Sequence, residues 1–373
     1  MKRLKTIMEQ KLTASVPMAS PKTEAKTARI TLDQLVNLCI EEEASDIHFG
    51  TGSRVALKVG GRLVFIENLE KLTKEEAESM IYGMIPDKED KERLVSQKEL
   101  DFSYAHSSGV NFRVNAYFQR GNLTAVMRMI SKNLPTMDEL GVPPEVKKLL
   151  PVRAGLVLVC GAAGSGKSTS IQSMLEYINQ NFVEHVITIE NPIEYLFEDK
   201  KSIFSQREVG KDTLSTRSAL RSAVREAPNV IMLSEINDVQ TLDEVLTLVE
   251  TGHLVISSIP TKDTRQTLER LIGLYPQDQQ SQAMERLADN LVAILCQELV
   301  TRADKPGRAA IYELLVVNSG VRNIIRRGNF AQFKTAMQAG ARDGMITMDA
   351  YAYQLAEQGV IHPDAVKRFI EEE

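Results

Sequence analysis

The chain has 373 residues, a net charge of −5, 43% hydrophobic and 25% charged residues. That is the balance of a folded, water-soluble protein of two or three domains. The acidic excess argues against a protein that coats nucleic acid, and no apolar run approaches the ~20 residues of a membrane helix. The three cysteines, Cys39, Cys160 and Cys296, form no C-x-x-C pair, so neither a zinc ribbon nor a disulfide framework is expected. A reducing, cytoplasmic setting fits. Cys39 and Cys296 are expected on helices and Cys160 at the end of a strand.

Residues 1–28 lack apolar periodicity and read as a tail, with a helical turn expected near 7–12. Thr31 and Asp33 precede "QLVNLCIEEEA", a helix pattern. "DIHFG" and "RVALKVGGRLVFI" alternate and turn at Gly60-Gly61, as a hairpin does. "KEEAESMIYGMI" and "KEDKERLVSQ" read as helices, and residues 100–130 as three antiparallel strands. Residues 29–131 therefore make one α+β domain. Three prolines in "SKNLPTMDELGVPPE" mark a linker at 132–144.

Beyond it, strands and helices alternate as in an α/β sheet. "GLVLVC", "HVITIE", "NVIMLSE" and "HLVISSI" are buried strands. Helices are expected at 167–179, 216–227, 239–252, 264–275 and 282–300, then a strand at 307–317 and helices to the end. The core spans 145–317 and a C-terminal helical region 318–373.

"CGAAGSGKSTS" follows the first of these strands and opens a helix. Its G-x-x-x-x-G-K-[ST] spacing, in that context, is a phosphate-binding loop. Gly161, Ala162, Ala163, Gly164, Ser165, Gly166, Lys167, Ser168 and Thr169 are the expected nucleotide contacts. Backbone N–H groups of 163–168 would face the β-phosphate. Lys167 would bridge β- and γ-phosphate, and Ser168 would ligate Mg²⁺. The expected ligands are thus ATP and Mg²⁺. A water attacking the γ-phosphate needs a group to orient or deprotonate it. Glu235, at the tip of "NVIMLSE", is the first candidate and also an indirect Mg²⁺ ligand; Glu190 is the second, with Glu194 close behind. Arg113, Arg128, Arg221 and Arg225 are candidate counter-charges for the phosphates, the last two four apart on one expected helical face. For any one of them a surface ion pair is the plain alternative.

These residues resemble those of the type IV pilus retraction ATPases, PilT-like members of the secretion ATPase superfamily. The match runs over about 30–360. It rests on "ASDIHF", "FRVNAYFQRG", "GSGKST", "ITIENPIEY", "SQREVGKDT", "ALRSAVREAPN", "ETGHLV", "VRNIIRRG" and "GMITMDAY". The resemblance implies a PAS-like α+β first domain, a RecA-like P-loop ATPase domain with C-terminal helices, and a homo-hexameric ring. It implies that Arg113 and Arg128 reach nucleotide at a subunit boundary and that Glu235 is the catalytic glutamate. Glu190 and Glu194 fall in an acidic box, and His253 in a histidine box. Residues 321–323 match a motif required for retraction. The implied partners are an inner-membrane pilus platform protein, which would hold the motor at the membrane without insertion, and a paralogous pilus ATPase; no specific nucleic acid is implied.

The chain departs from the family pattern at five places. Asn191 replaces the aspartate of the acidic box, Ser234-Glu235-Ile236-Asn237-Asp238 stands for a Gly-Glu-Met-Arg-Asp stretch, Ala227-Pro228-Asn229 for Asp-Pro-Asp, Pro260 for the second box histidine, and Ala162-Ala163 for a Pro-Thr pair. The loop alanines matter least, because the backbone does the binding. Asn191 brings no charge, and Pro260 has neither imidazole nor N–H. Two functions follow from the sequence: an ATP-driven motor for pilus or pseudopilus retraction, or a catalytically weakened nucleotide-binding paralogue that modulates a partner ATPase.

Overall fold

The computed structural model describes residues 29–130 and 134–370. The expected tail, with its turn at 7–12, lies outside the described residues. Two compact units divide between Ser131 and Lys132.

In the first unit, helix α1 (Leu32–Glu41) starts at a capping box: the Thr31 side chain accepts from the Gln34 N–H, and the Gln34 side chain accepts from the Thr31 N–H. Strands β1 (Asp46–Gly50), β2 (Ala56–Val59) and β3 (Arg62–Phe65) follow, then helices α2 (Lys74–Met84) and α3 (Lys88–Gln97). Strands β4 (Glu99–Ala105), β5 (Asn111–Gln119) and β6 (Asn122–Ile130) complete one antiparallel sheet of order β3-β2-β1-β6-β5-β4. Alternation on β5 buries Phe112, Val114 and Ala116 against the helices. The α+β first domain read from the sequence is present.

Asp46 on β1 is 3% exposed. Burial opposes its ionisation, but the Ser45 hydroxyl and the Arg128 guanidinium outweigh it and hold the carboxyl below its ordinary range. Arg128 Nε donates to Asp46 Oδ1 at 2.8 Å. A carboxyl with a depressed folded-state pKa contributes stability above its unfolded pKa and loses it as pH falls through the folded value. Arg128→Ala should therefore lower first-domain stability at neutral pH by about 1 kcal/mol. The difference from the parent should vanish on acidification, as denaturant melts at both pH values would report.

The second unit begins inside the expected linker. Helix α4 (Met137–Leu140) has its own capping box, Thr136 with Glu139, and buries Met137 with Val142 in the second core. Apolar burial thus draws 137–144 out of the linker. Helix α5 (Glu145–Leu149) precedes β7 (Gly155–Cys160) and helix α6 (Lys167–Asn181). Then come β8 (His185–Glu190), β9 (Ile203–Glu208), α7 (Thr216–Ala223), β10 (Val230–Leu233), α8 (Val239–Glu250), β11 (Leu254–Ile259), α9 (Thr264–Gly273), α10 (Gln280–Asn290), β12 (Leu291–Thr301) and β13 (Arg308–Val316). Helices α11 (Ser319–Arg327), α12 (Phe333–Ala339), α13 (Met348–Glu357) and α14 (Pro363–Ile370) end the unit.

The sheet order is β13-β12-β7-β11-β10-β8-β9, parallel except for β13. β7 shows why both faces carry helices. Leu156, Leu158 and Cys160 enter one core and Val157 and Val159 the other, all essentially without solvent exposure.

Three sequence expectations are corrected. Residues 282–300 are not one helix: α10 ends at Asn290 and β12 begins, so Cys296 lies on a strand. A short apolar run such as "LVAILC" suits either element, and the open flank of β7 decides for a strand. The 216–227 helix stops at Ala223 and continues as a 3₁₀ turn over Val224–Glu226, so Arg221 and Arg225 do not share one α-helical face. Strand β9 has no counterpart in the sequence reading.

Candidate functional site

Parallel register gathers the site. Cys160 pairs with Ile259, and Leu233 with Ile189, so the C-terminal tips of β7, β8, β10 and β11 lie at one edge. Binding clefts in α/β sheets form at such an edge. The loop Gly161–Gly166 leaves the tip of β7 and opens α6, whose N-cap is Gly166. Lys167 folds back over the loop: its Nζ donates to Gly161 O at 2.8 Å and Ala162 O at 3.0 Å. Burial lowers the Lys167 pKa, against the attraction of Glu235 and Cys160. Glu235 thus shares an electrostatic neighbourhood with the loop lysine.

One cleft is lined by Ser168, Glu190, Asn191, Glu194, Ser234 and Ser258, among others. Glu190 is 3% exposed. Its Oε1 accepts from Thr188 Oγ1 at 2.6 Å and Gln206 Nε2 at 3.1 Å, and burial raises its pKa. Glu194 is exposed, and its backbone supports the Glu190 carboxyl. Glu235 is half-buried, and Asn237 Nδ2 donates to its Oε2 at 3.2 Å. Ser258 Oγ donates to Ser234 O at 2.6 Å, and Ser234 Oγ to Ile189 O at 3.1 Å, tying three strand tips together. The oxygen donors Ser168, Glu190, Glu194 and Ser234 are hard ligands of the kind Mg²⁺ takes.

Of the other candidates in the second unit, His253, Arg221 and Arg225 are not among the residues lining this cleft. His253 precedes β11, at the opposite end of the sheet, where its carbonyl accepts from Gly155 N. The six residues of β11 put roughly 17 Å between the two ends. Its Nδ1 sits 2.8 Å from Leu248 O, at the end of α8. His253 is therefore not a residue of this site. Arg221 Nε donates to Glu244 Oε1 at 2.7 Å and Arg225 to Ser222 Oγ at 3.3 Å, as surface pairs do. Arg113 and Arg128 stand directly opposite each other on β5 and β6 of the first unit. Pro260 follows Ile259 at the tip of β11, next to the loop strand.

The sequence reading missed Thr188, Gln206, Ser234, Ser258 and Gln297. Gln297 Nε2 donates to Ser165 O at 2.7 Å, from β12 beneath the loop. The missed strand hid it.

A parallel sheet flanked by helices, with this loop at the tip of β7 and carboxylates at the tips of β8 and β10 along the same edge, defines a P-loop nucleotide-binding protein. The family model described as "Type II/IV secretion system protein" matches residues 22–366, and the chain belongs to that family. It is 36% identical to the type IV pilus ATPase PilU of Pseudomonas aeruginosa over 329 residues, 88% of this chain and 86% of that protein. It is also 36% identical to the type IV pilus retraction ATPase PilT of the same organism, over 88% of this chain and 95% of that one. A crystal structure of the pilus retraction motor PilT with bound ADP superposes with a TM-score of 0.85 at 36% identity, covering 91% of this chain and 97% of the other. The Legionella pneumophila ATPase DotB follows at 0.77 and 26% identity, covering 94% and 98%.

Proposed function

We propose that this chain is the subunit of a homo-hexameric ATPase motor that drives retraction of a type IV pilus or pseudopilus. It is an ATPase of the secretion family. The observation that carries the motor reading is Glu235 just past β10, a carboxylate within electrostatic reach of Lys167. Lys167 grips the phosphates, backbone N–H groups of 163–168 cradle them, and Glu235 orients the attacking water. Ser168, with Glu235 acting through water, would hold Mg²⁺, which neutralises phosphate charge when bound. Glu190, buried and already holding two donors, serves best as a fixed support for the Asn191–Glu194 turn. Arg113 and Arg128 would approach nucleotide across a subunit boundary, as the family resemblance implies.

No helix among the described residues is long and apolar enough to cross a membrane. The motor reading puts the ring in the cytoplasm, held to the inner membrane by a pilus platform protein.

Asn191 in the cleft, Asn237 on Glu235 and Pro260 beside the loop strand favour a second reading, a slow paralogue that modulates a partner ATPase. One experiment separates the two. Phosphate release by the purified chain is measured with Mg²⁺-ATP, alongside native mass. The motor reading expects a six-subunit mass and sustained turnover. ADP binding without turnover, and a rate restored by Asn191→Asp with Pro260→His, would transfer the case to the paralogue.

A further inference from the structure

A loop that binds phosphate through its N–H groups must turn those groups outward. In a trans peptide the C=O points opposite to the N–H of the next residue. The carbonyls of such a loop are therefore driven into the protein, where each needs a donor. At Gly161 that donor is Lys167, and Ala162 O accepts from both Lys167 Nζ and the Ser165 N–H. At Ser165 it is Gln297, a residue 132 positions away and 2% exposed. The 2.7 Å bond fixes the Ser165 carbonyl inward and so aims the Gly166 N–H outward.

Gln297 also fits the loop at both ends. A Cβ on Gly161, where φ is +150°, would lie 2.3 Å from Ser165 Oγ and 2.5 Å from the backbone carbonyl oxygen of Gln297. A Cβ on Gly166, where φ is +91°, would lie 3.1 Å from Gln297 Nε2. The two glycines of the motif thus let the loop close on itself and settle against β12. Gln297 Oε1 is buried and has no hydrogen-bond partner among the described residues. An apolar side chain there would avoid that penalty, but it would strip Ser165 O of the amide donor.

We infer that Gln297 is a positioning residue of the nucleotide loop, whose amide holds the Ser165–Gly166 peptide in the orientation that binds phosphate. The inference rests on the loop being the nucleotide site. Because the aimed N–H serves bound ADP and the reacting ATP alike, its loss should raise KM and leave kcat largely unchanged.

The test measures ADP affinity by calorimetry, ATP turnover, and melting of the ligand-free protein, for the parent, Gln297→Met and Gln297→Asn. Met keeps the volume and has no donor; Asn keeps the amide but is one methylene too short to reach. Both variants should bind ADP about tenfold more weakly, a change of about 1.4 kcal/mol, with KM raised in step and ligand-free melting close to the parent. Parent-like ADP affinity in a folded variant would overturn the inference. So would a loss of folding in both variants, since Gln297 would then serve the sheet and not the loop. A parent that binds no ADP would overturn the reading of the loop itself, and the inference with it.

Discussion

Glu235→Gln is expected to lower the rate of ATP hydrolysis by about 10²–10⁴ while leaving ADP affinity within a few-fold of the parent. The side chain keeps its size and can still receive the Asn237 amide, which donates to Oε2 at 3.2 Å. What it loses is the carboxylate that orients or deprotonates water and offsets the charge of Lys167. Binding survives because the loop's contacts come from backbone and from Lys167. Glu190→Gln supplies the contrast. Glu190 is buried under the Thr188 hydroxyl and the Gln206 amide, and burial raises its pKa. A neutral amide there should cost little turnover. Phosphate release in a single turnover, with ADP titration beside it, reads both variants. A Glu235→Gln protein that keeps parent-like turnover, with Glu190→Gln inactive, would move the general base to β8 and sink the present assignment.

The loop, the strand tips and the first domain were legible in the sequence because each has a local signature. G-x-x-x-x-G-K-S names its own geometry, and Thr31 and Asp33 announce the start of α1. β12 had no such signature. "LADNLVAILCQELV" continues a helical pattern past Asn290, and only the vacant side of β7 turns it into a strand. With the strand went Gln297, whose role depends on lying next to Cys160 and Gly161 in space. His253 lies away from the cleft for a related reason. It stands only seven residues before Pro260, yet those residues are an extended strand, and extension carries it to the opposite edge of the sheet. The linker failed through burial: "PTMDELGVPP" has the composition of a connector, but Met137 and Val142 are core residues.

Lys167→Ala is expected to weaken ADP binding by about 10²–10³, since one or two charge-assisted hydrogen bonds to phosphate contribute about 1.5–3 kcal/mol each. Its pH signature separates a lost phosphate contact from a collapsed loop. Burial lowers the Lys167 pKa from the ordinary lysine value of 10.5. The free protein therefore releases this proton earlier on an alkaline titration than an exposed lysine would. Phosphate needs the charged form, so parent ADP affinity should be full at neutral pH and fall as pH rises through that lowered pKa, below 10.5. The alanine variant has no such proton and should show no decline in that window. Parallel pH profiles for parent and variant would mean that Lys167 does not meet the phosphate in its charged form. The ammonium also rests on Gly161 O and Ala162 O, so the alanine variant loses two hydrogen bonds that close the loop. Lys167→Met preserves the apolar stem and makes the comparison stricter. If Met and Ala variants weaken ADP equally and both lack the alkaline decline, the ammonium carries the effect, and the stem does not.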